Sequence, residues 1–163
     1  MRTFLAAMTL LLLVGCDRHT VLYYEFQTDL VETEYGELDA VISGEFSEAS
    51  RFPRITHFGN PYTLLISFSP SSEEHTPLAI SDITIRAIDG TTLYSFPGGE
   101  METTWPDYNE DWYSSWTQQD LQLDHKILQL DFQLTFSVDG KVLKKDFSFS
   151  FKPTYEESHH SSQ

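Results

Sequence analysis

The segment that most constrains the fold is residues 127–152, where apolar residues alternate on both sides of Asp139-Gly140. Asp-Gly between alternating runs is typical of a two-residue type I′ turn, because both central residues need positive φ angles. The apolar face then pairs Phe136 with Leu143, Phe132 with Phe147, Leu130 with Phe149 and Leu128 with Phe151. The polar face pairs Thr135 with Lys144, Gln133 with Asp146, Asp131 with Ser148 and Gln129 with Ser150. A shift of one residue would exchange the faces, so the sequence predicts this register.

Other segments show the same two-residue period. Asp89-Gly90 predicts a second hairpin, which pairs Ile85 with Tyr94, Thr84 with Ser95 and Ile83 with Phe96. Residues 21–31, 38–46 and 62–68 read as further strands, with Leu22, Tyr24, Phe26 and Leu30 on one face of the first. Residues 47–60 are interpreted as a connection, because Pro53 disfavours a central strand. Residues 111–119 could form a short helix.

Turn signals separate these strands, and half of each strand is polar. The chain is therefore predicted to be all-β, an antiparallel two-sheet sandwich of about 7–9 strands. An isolated hairpin is marginal in water, so the apolar face of the C-terminal hairpin needs a second sheet as cover. The architecture resembles the immunoglobulin-like sandwich, although the Cys…Trp…Cys signature of immunoglobulin domains is absent.

The N-terminal residues have the features of an export signal. A charged start, Met1-Arg2-Thr3, precedes a short apolar run that ends in Leu13-Val14-Gly15-Cys16. This ending resembles the lipobox of bacterial lipoproteins. The resemblance implies a diacylglyceryl group on the Cys16 sulfur, cleavage after Gly15 and acylation of the new N-terminus. An ordinary signal peptide that happens to contain a cysteine is the alternative.

The predicted organisation follows from this lipobox. Residues 1–15 form a cleaved signal peptide, residues 16–20 the lipidated Cys16 and a short tether, residues 21–153 the sandwich domain and residues 154–163 a disordered polar tail. Asp17 after the cysteine resembles the inner-membrane retention signal of enteric lipoproteins, and Arg18 departs from its strongest form. The periplasmic face of the inner membrane is therefore favoured over the outer membrane.

Charge and cysteine content exclude some partners. Cleavage after Gly15 removes one basic residue, Arg2, and no acidic one, which leaves nine basic and 25 acidic residues. The resulting formal charge of −16 argues against nucleic acid, whose phosphates are bound by Lys and Arg. Cys16 is the single cysteine of the chain, so no disulfide is expected within it.

The densest unusual segment is residues 105–116, which holds all three tryptophans. Its candidate binding residues for a sugar or a protein are Trp105, Tyr108, Trp112, Tyr113 and Trp116. Flat rings bury a large area at low entropic cost, and nearby carboxylates can orient hydroxyl or basic groups. The structural alternative is that these rings close one end of the sandwich. Asp107, Asn109 and Asp111 resemble the opening of a calcium loop, but Trp112 occupies the position that needs glycine, which excludes an EF-hand.

A second candidate is a basic island made of Arg51, Arg54 and His57, alternating with apolar residues. It could contact an acidic partner or lipid head groups, and a solvated loop is the structural alternative. The sequence shows no nucleophile elbow, zinc-protease helix or phosphate-binding loop, and neither a cofactor nor a metal is expected. Glu74 beside His75 offers weak evidence for acid–base chemistry.

Together these patterns indicate a lipid-anchored envelope lipoprotein whose specific activity they leave open. A non-enzymatic domain that binds another envelope protein is the first hypothesis, for example an inhibitor or immunity-type factor. A carbohydrate- or cell-wall-binding module that uses the aromatic loop is the alternative, and an enzyme comes third.

Overall fold

The computed structural model describes residues 18–51, 54–72, 76–104 and 113–161. Within these ranges the chain forms ten strands and no helix. They are β1 (Arg18–Gln27), β2 (Val31–Thr33), β3 (Gly36–Arg51), β4 (Arg54–Pro70), β5 (Thr76–Ala87), β6 (Thr92–Glu100), β7 (Glu102–Thr104), β8 (Tyr113–Leu121), β9 (Leu128–Val138) and β10 (Lys141–Ser161). Accordingly, the described part of the chain contains no helix able to span a membrane.

The ten strands form one mixed sheet. Its order is β2-β3-β4-β1-β10-β9-β5-β6, with β8 paired to β4 and β7 paired to β8. All pairs are antiparallel except β1 with β4, which run parallel from His19–Arg54 to Tyr23–Phe58. The all-β class is thus confirmed, and the expectation of a purely antiparallel sheet is wrong. The parallel pair arises because β1 joins strands from distant parts of the chain rather than a hairpin neighbour.

Both hairpins predicted from Asp-Gly turns are confirmed. Every pair expected between β9 and β10 is present, from Val138–Lys141 at the turn to Leu128–Phe151. Asp139 and Gly140 have φ angles of 51° and 73°, as a type I′ turn requires. The β5–β6 hairpin likewise pairs Ile85 with Tyr94, Thr84 with Ser95 and Ile83 with Phe96.

Strand β10 is unusually long, at 21 residues, and joins two parts of the sheet. Residues 141–151 pair with β9, and residues 152–161 pair with β1. The expectation of a disordered tail from residue 154 therefore differs from the structure, in which the strand continues to Ser161. The polar composition of residues 152–161 does not reveal that they pair with another strand, because β1 supplies the hydrogen-bond ladder and much of the apolar surface.

Three further local expectations are corrected. Residues 47–60 were expected to be a connection, yet β3 continues to Arg51 and β4 starts at Arg54, opposite it. Residues 113–121 form strand β8 instead of a helix. Strand β1 starts at Arg18 rather than Val21 and ends before Leu30, which is 49% exposed. The end of β3 pairs with β4 as a hairpin, whereas β8 and β1 pair with strands that are distant in the sequence. In each case strand pairing overrides the local pattern, because backbone groups bonded in a ladder stabilise an extended chain.

One hydrophobic cluster holds the sheet together. It combines side chains from β3 and β4, such as Leu38 and Ile66, with side chains from β5, β9 and β10, such as Ile85, Leu130 and Phe151. Phe136 connects the two groups, because its ring lies 6.1 Å from Phe68 and 4.9 Å from Tyr35 between centroids. The apolar face predicted for the C-terminal hairpin is therefore the centre of the core.

Candidate interaction surface

Four strands continue past this core as a four-strand extension. The extension consists of residues 18–25 of β1, 45–51 of β3, 54–59 of β4 and 154–161 of β10, in the order β3-β4-β1-β10. None of its described residues belongs to the hydrophobic core cluster. Its two faces therefore carry side chains that the folding of the core does not require.

One face of the extension carries an aromatic row made of Tyr23, Phe58 and Phe46, which occupy neighbouring positions on β1, β4 and β3. Tyr23 stacks on Phe58 with 5.3 Å between centroids and an angle of 12°. Phe46 meets Phe58 edge-on at 6.2 Å and is 59% exposed. Tyr23 and Phe58 are half-buried, so Phe46 is the most exposed ring of the row.

The opposite face is organised around Tyr24. Its ring lies 5.3 Å from Tyr155 and 6.5 Å from His57, and it meets His125 edge-on at 5.4 Å. His125 also contacts Phe26 at 5.4 Å, and Phe26 belongs to the core. This face is therefore tied to the body of the protein, whereas the aromatic row on the other face contacts only strands of the extension among the rings described.

The pKa values of two tyrosines reflect these surroundings. Burial raises the pKa of the Tyr62 hydroxyl, at the core end of this second face, and the nearby Tyr24 adds to the effect. Desolvation and a hydrogen bond to Glu157 raise the pKa of Tyr155, whose hydroxyl donates to Oε2 of that carboxylate at 3.1 Å. Both tyrosines thus stay neutral at physiological pH and act as ring surfaces and hydrogen-bond donors rather than as acids or bases.

The local sequence around Gly44 explains why the extension diverges from the core there. Strand β3 changes register between Gly44 and Glu45 and again after Phe46. A Cβ atom on Gly44 would lie 2.7 Å from Cα of Gly59, so the two backbones approach more closely than side chains permit. Bulges of this kind bend a strand and increase its twist, so the β3–β4 turn lies away from the core.

Asn60 joins the base of the extension to the β8–β9 connection. Its side-chain amide donates a hydrogen bond of 2.8 Å to the carbonyl of Leu123, and its Oδ1 accepts one of 2.8 Å from the Leu123 amide. Paired bonds of this kind imitate a strand ladder, so the orientation of the extension is fixed relative to the core.

The structure separates the predicted basic island. Arg51 and Arg54 are opposite each other at the β3–β4 turn, whereas His57 lies on the other face of β4 and stacks on Tyr24. Side chains of a strand alternate between faces, so residues three apart do not converge. His57 consequently joins the Tyr24 cluster, and the two arginines remain together at the end of the extension.

The aromatic loop is described only in part, because Trp105, Tyr108 and Trp112 lie outside the described residues, as do Asp107, Asn109 and Asp111. Tyr113 and Trp116 lie three positions apart on β8 and therefore on opposite faces. Tyr113 is 37% exposed, and Trp116 packs against the core with its ring 6.1 Å from Phe96. Within the described segment, Trp116 fits the structural alternative, in which these rings close one end of the core.

In the described ranges no three His, Cys, Asp or Glu residues are placed to hold a metal ion. A cleft of about 440 Å³ lies between the β5–β6 turn and the β8–β9 connection, lined by Ile88, Leu93, Asp124 and Lys126 among others. The ammonium group of Lys126 donates to Asp124 at 2.8 Å and lowers the pKa of that carboxyl. Both side chains are mostly exposed, so the pair is an ordinary surface ion pair. Cys16, Glu74 and His75 lie outside the described residues.

No protein-family model, curated protein or solved structure matches this chain. Its function must therefore be inferred from its own residues.

Sequence reasoning missed the aromatic row. The run Val21-Leu22-Tyr23-Tyr24 contains the signal that could have revealed it, because consecutive apolar residues in a strand place rings on both faces. A strand with a single buried face alternates, so an uninterrupted run outside the core indicates either a second cover or a binding surface.

Proposed function

We propose that this protein is a lipid-anchored lipoprotein of the bacterial envelope, and that it acts without catalysis by binding another protein through the extension. The observation that carries the proposal is the aromatic row Tyr23, Phe58 and Phe46, which lies outside the core with Phe46 59% exposed. Exposed contiguous apolar patches mark interaction sites, and aromatic anchors contribute much of the energy of protein interfaces.

A protein partner fits this row better than a sugar. Tyr23 and Phe58 are nearly parallel, but Phe46 lies at 77° to Phe58, so the three rings do not form a single flat platform. The row presents two phenylalanines and adjoins Val21, so it offers few hydrogen-bonding groups for the hydroxyls of a glycan. An apolar side chain of a partner could instead fill the angle between Phe46 and Phe58 and exclude water from both.

In this proposal the rest of the chain serves as a rigid support. The sheet folds into two layers of immunoglobulin-like architecture, with β3, β4 and β8 in one layer and β5, β6, β9 and the first half of β10 in the other. The shared core cluster and the Phe68–Phe136 contact between β4 and β9 favour this two-layer arrangement. The lipid on Cys16, two residues before β1, holds this unit at the periplasmic face of the inner membrane.

Site-specific photocrosslinking in cells tests the binding surface. A crosslinking amino acid in place of Phe46 is expected to give one discrete adduct, because this side chain lies at the exposed edge of the aromatic row. The matched control is Val142, which is 64% exposed but lies in the C-terminal hairpin, close to its turn. The adduct should be lost when Tyr23→Ala is added and should contain a protein when analysed by mass spectrometry.

Equal crosslinking at Phe46 and Val142 would contradict the proposal. The carbohydrate alternative is tested in parallel by titrating cell-wall fragments and oligosaccharides while following tryptophan fluorescence. A saturable shift, with no adduct at Phe46, would favour the aromatic loop of residues 105–116 as the working site instead.

The anchor gives a separate prediction. Cys16→Ser removes the sulfur that would carry the diacylglyceryl group, so the protein is expected to leave the membrane pellet. Two or more acyl chains hold a protein stably on a bilayer, and none remain in the variant. Fractionation measured by immunoblot checks this, with Ser71→Ala as a control in an exposed turn. An unchanged membrane fraction in Cys16→Ser would disprove the lipobox interpretation.

A further inference from the structure

The cleft between the β5–β6 turn and the β8–β9 connection collects a large part of the exposed apolar surface. Its volume of about 440 Å³ lies within the range of about 300–1,000 Å³ that is typical of ligand sites. Ten large hydrophobic side chains are exposed in the described part of the chain, and three of them line this cleft: Ile88, Leu93 and Ile127. Ile88 is the most exposed of the ten, at 76%. Single exposed apolar residues are ordinary, but three that line one cleft indicate a binding surface.

Both walls of the cleft are tight turns closed by their own hydrogen bonds. In the β5–β6 turn the amide of Ala87 donates to the carbonyl of Thr91 at 2.9 Å, and the amide of Thr91 donates to Oδ1 of Asp89 at 2.9 Å. In the β8–β9 connection the amide of Lys126 donates to the carbonyl of Asp124 at 2.8 Å. A partner that enters the cleft therefore orders few of its residues, which lowers the entropic cost of binding.

Contacts outside the apolar lining hold the two walls in place. The hydroxyl of Tyr94 in β6 donates to the carbonyl of Gln122 at 3.2 Å and accepts a hydrogen bond from the amide of Gln122 at 2.8 Å. Ala87 pairs with Leu128, so the two turns leave the adjacent strands β5 and β9 at the same end of the sheet. The separation of the walls is therefore fixed by the fold rather than by a bound partner.

Three charged side chains, Asp89, Asp124 and Lys126, border the apolar lining. Asp124 and Lys126 pair with each other, so the net charge of the three is that of the Asp89 carboxylate. The hydrogen bond from the Thr91 amide lowers the pKa of Asp89, and the Lys126 ammonium lowers the pKa of Asp124, so both carboxylates are ionised at neutral pH. The cleft thus combines an apolar floor with a negative rim, which complements a ligand that is both apolar and positively charged.

The position of the cleft beside β6 favours an extended peptide over a compact ligand. Strand β6 pairs with β5 on one side and is the last strand in the order of the described sheet. Among the described strands its other side is unpaired, so its backbone N–H and C=O groups can bond to an added extended segment. Leu93 is the second residue of β6, which places the cleft at the start of this edge. A peptide can thus put one side chain in the cleft while its backbone follows β6.

We propose that this cleft binds an extended segment of a partner protein in which an apolar side chain lies next to a lysine or an arginine. The apolar side chain packs against Ile88, Leu93 and Ile127, and the cation lies beside Asp89. A second copy of this chain is a poor occupant, because two molecules with a formal charge of −15 repel each other. This second binding surface is separate from the aromatic row, and it requires neither that row nor the lipid anchor.

The test begins with a selection from a random heptapeptide library on the full protein, immobilised through a tag placed after Gln163. The library is first depleted on the Ile88→Ser protein, which removes the peptides that bind elsewhere on the surface. We expect the enriched peptides to carry leucine, isoleucine or phenylalanine next to lysine or arginine more often than the unselected library does. Failure to enrich any peptide over the Ile88→Ser protein would overturn the proposal.

The most strongly enriched peptide is then titrated against variants by fluorescence anisotropy. Ile88→Ser should weaken its affinity about ten-fold, because truncation of an apolar anchor commonly has an effect of this size at interfaces. Val142→Ser is the matched control, since it truncates a β-branched side chain that is 64% exposed near the β9–β10 turn, at the opposite end of β9 from the cleft. Equal weakening by the two substitutions would show that the peptide does not use the cleft. Thermal unfolding of each variant establishes that the fold is retained.

Charge variants test the chemistry of the partner. Asp89→Asn keeps an oxygen that can accept from Thr91 but removes the charge, so it should weaken the affinity about two- to five-fold. Lys126→Gln should strengthen the affinity by a similar factor, because it removes the cation that competes for the carboxylates of the cleft. A folding defect cannot produce such a gain. Asp139→Asn and Lys144→Gln make the same changes on exposed residues of the β9–β10 hairpin and should leave the affinity unchanged.

Other occupants of the cleft give different results. Enriched peptides that lack a basic residue and ignore Asp89→Asn would overturn the proposed partner chemistry. Octylamine binding that Ile88→Ser abolishes, with no peptide enriched, would assign the cleft to a small amphiphilic amine instead. Self-association in sedimentation velocity that Ile88→Ser abolishes would assign it to a second copy. Crosslinking at Phe46 reports on the aromatic row alone, so either binding surface can fail without the other.

Discussion

Gly98→Ala is expected to lower the free energy of unfolding by about 2–5 kcal/mol. Gly98 has a φ of +86°, which disfavours a residue with a side chain by about 1–2 kcal/mol. In addition, the new Cβ would lie 1.9 Å from the carbonyl oxygen of Ile80 and 2.8 Å from Cα of Ser81. Both atoms belong to the β5 backbone, so β6 must move and disturb the Ser81–Gly98 pair. Overpacking of this kind costs about 1–3 kcal/mol more.

Gly90→Ala provides a matched control for this prediction. Gly90 has the same φ of +86°, but a Cβ atom there would meet nothing within 4 Å. Its substitution therefore isolates the conformational cost of about 1–2 kcal/mol. Chemical denaturation followed by circular dichroism measures both variants. Equal destabilisation by the two substitutions would show that β6 does not approach β5 as closely as the structure indicates.

Phe136→Ala is expected to destabilise the fold by about 3–5 kcal/mol, the range for removing a buried phenylalanine. The side chain is 1% exposed and contacts Phe68 of β4 and Tyr35 before β3, so its loss leaves a cavity between two parts of the sheet. Denaturant unfolding of the variant measures the loss. These contacts join distant strands. Both strands would have to move to fill the cavity, so little of the lost stability can be recovered by relaxation.

Phe46→Ala is the control for this second prediction, because it removes the same atoms from an exposed site. Phe46 is 59% exposed and outside the core, so its truncation should change the free energy of unfolding by less than about 1 kcal/mol. The two variants together distinguish a phenylalanine that stabilises the fold from one that is available to a partner. A large destabilisation by Phe46→Ala would mean that the aromatic row is structural.

Local turn chemistry made part of this fold predictable. The Asp139-Gly140 and Asp89-Gly90 turns determine which residues pair, because each strand follows its partner immediately and the turn sets the register. No comparable signal exists for β1 with β10 or β1 with β4. These pairs join segments far apart in sequence, so the expected disordered tail and residues 54–58 of the expected connection turned out to be strands.

The candidate site was less predictable for a related reason. Periodicity identifies a strand by its one buried face, and the interpretation of β1 accordingly kept Tyr24 and Phe26 and passed over Tyr23. Phe46 and Phe58 had been assigned to the end of a strand and to a connection, so nothing in the sequence placed them beside Tyr23. Their common surface exists only once the parallel pairing of β1 with β4 is known.

The length of β10 has a consequence for the order in which the strands can pair. The β1–β10 ladder joins residues at least 125 positions apart, the nearest being Gln27 with Lys152. Pairing over such separations is slow, because the entropy of closing the loop is lost before the contacts form. A chain that crosses the membrane from its N-terminus would expose β1, with its apolar run, until residues 152–161 emerge. The edge of β1 that pairs with β10 is thus the last part of the extension to be completed during folding, whereas the aromatic row needs only β1, β3 and β4.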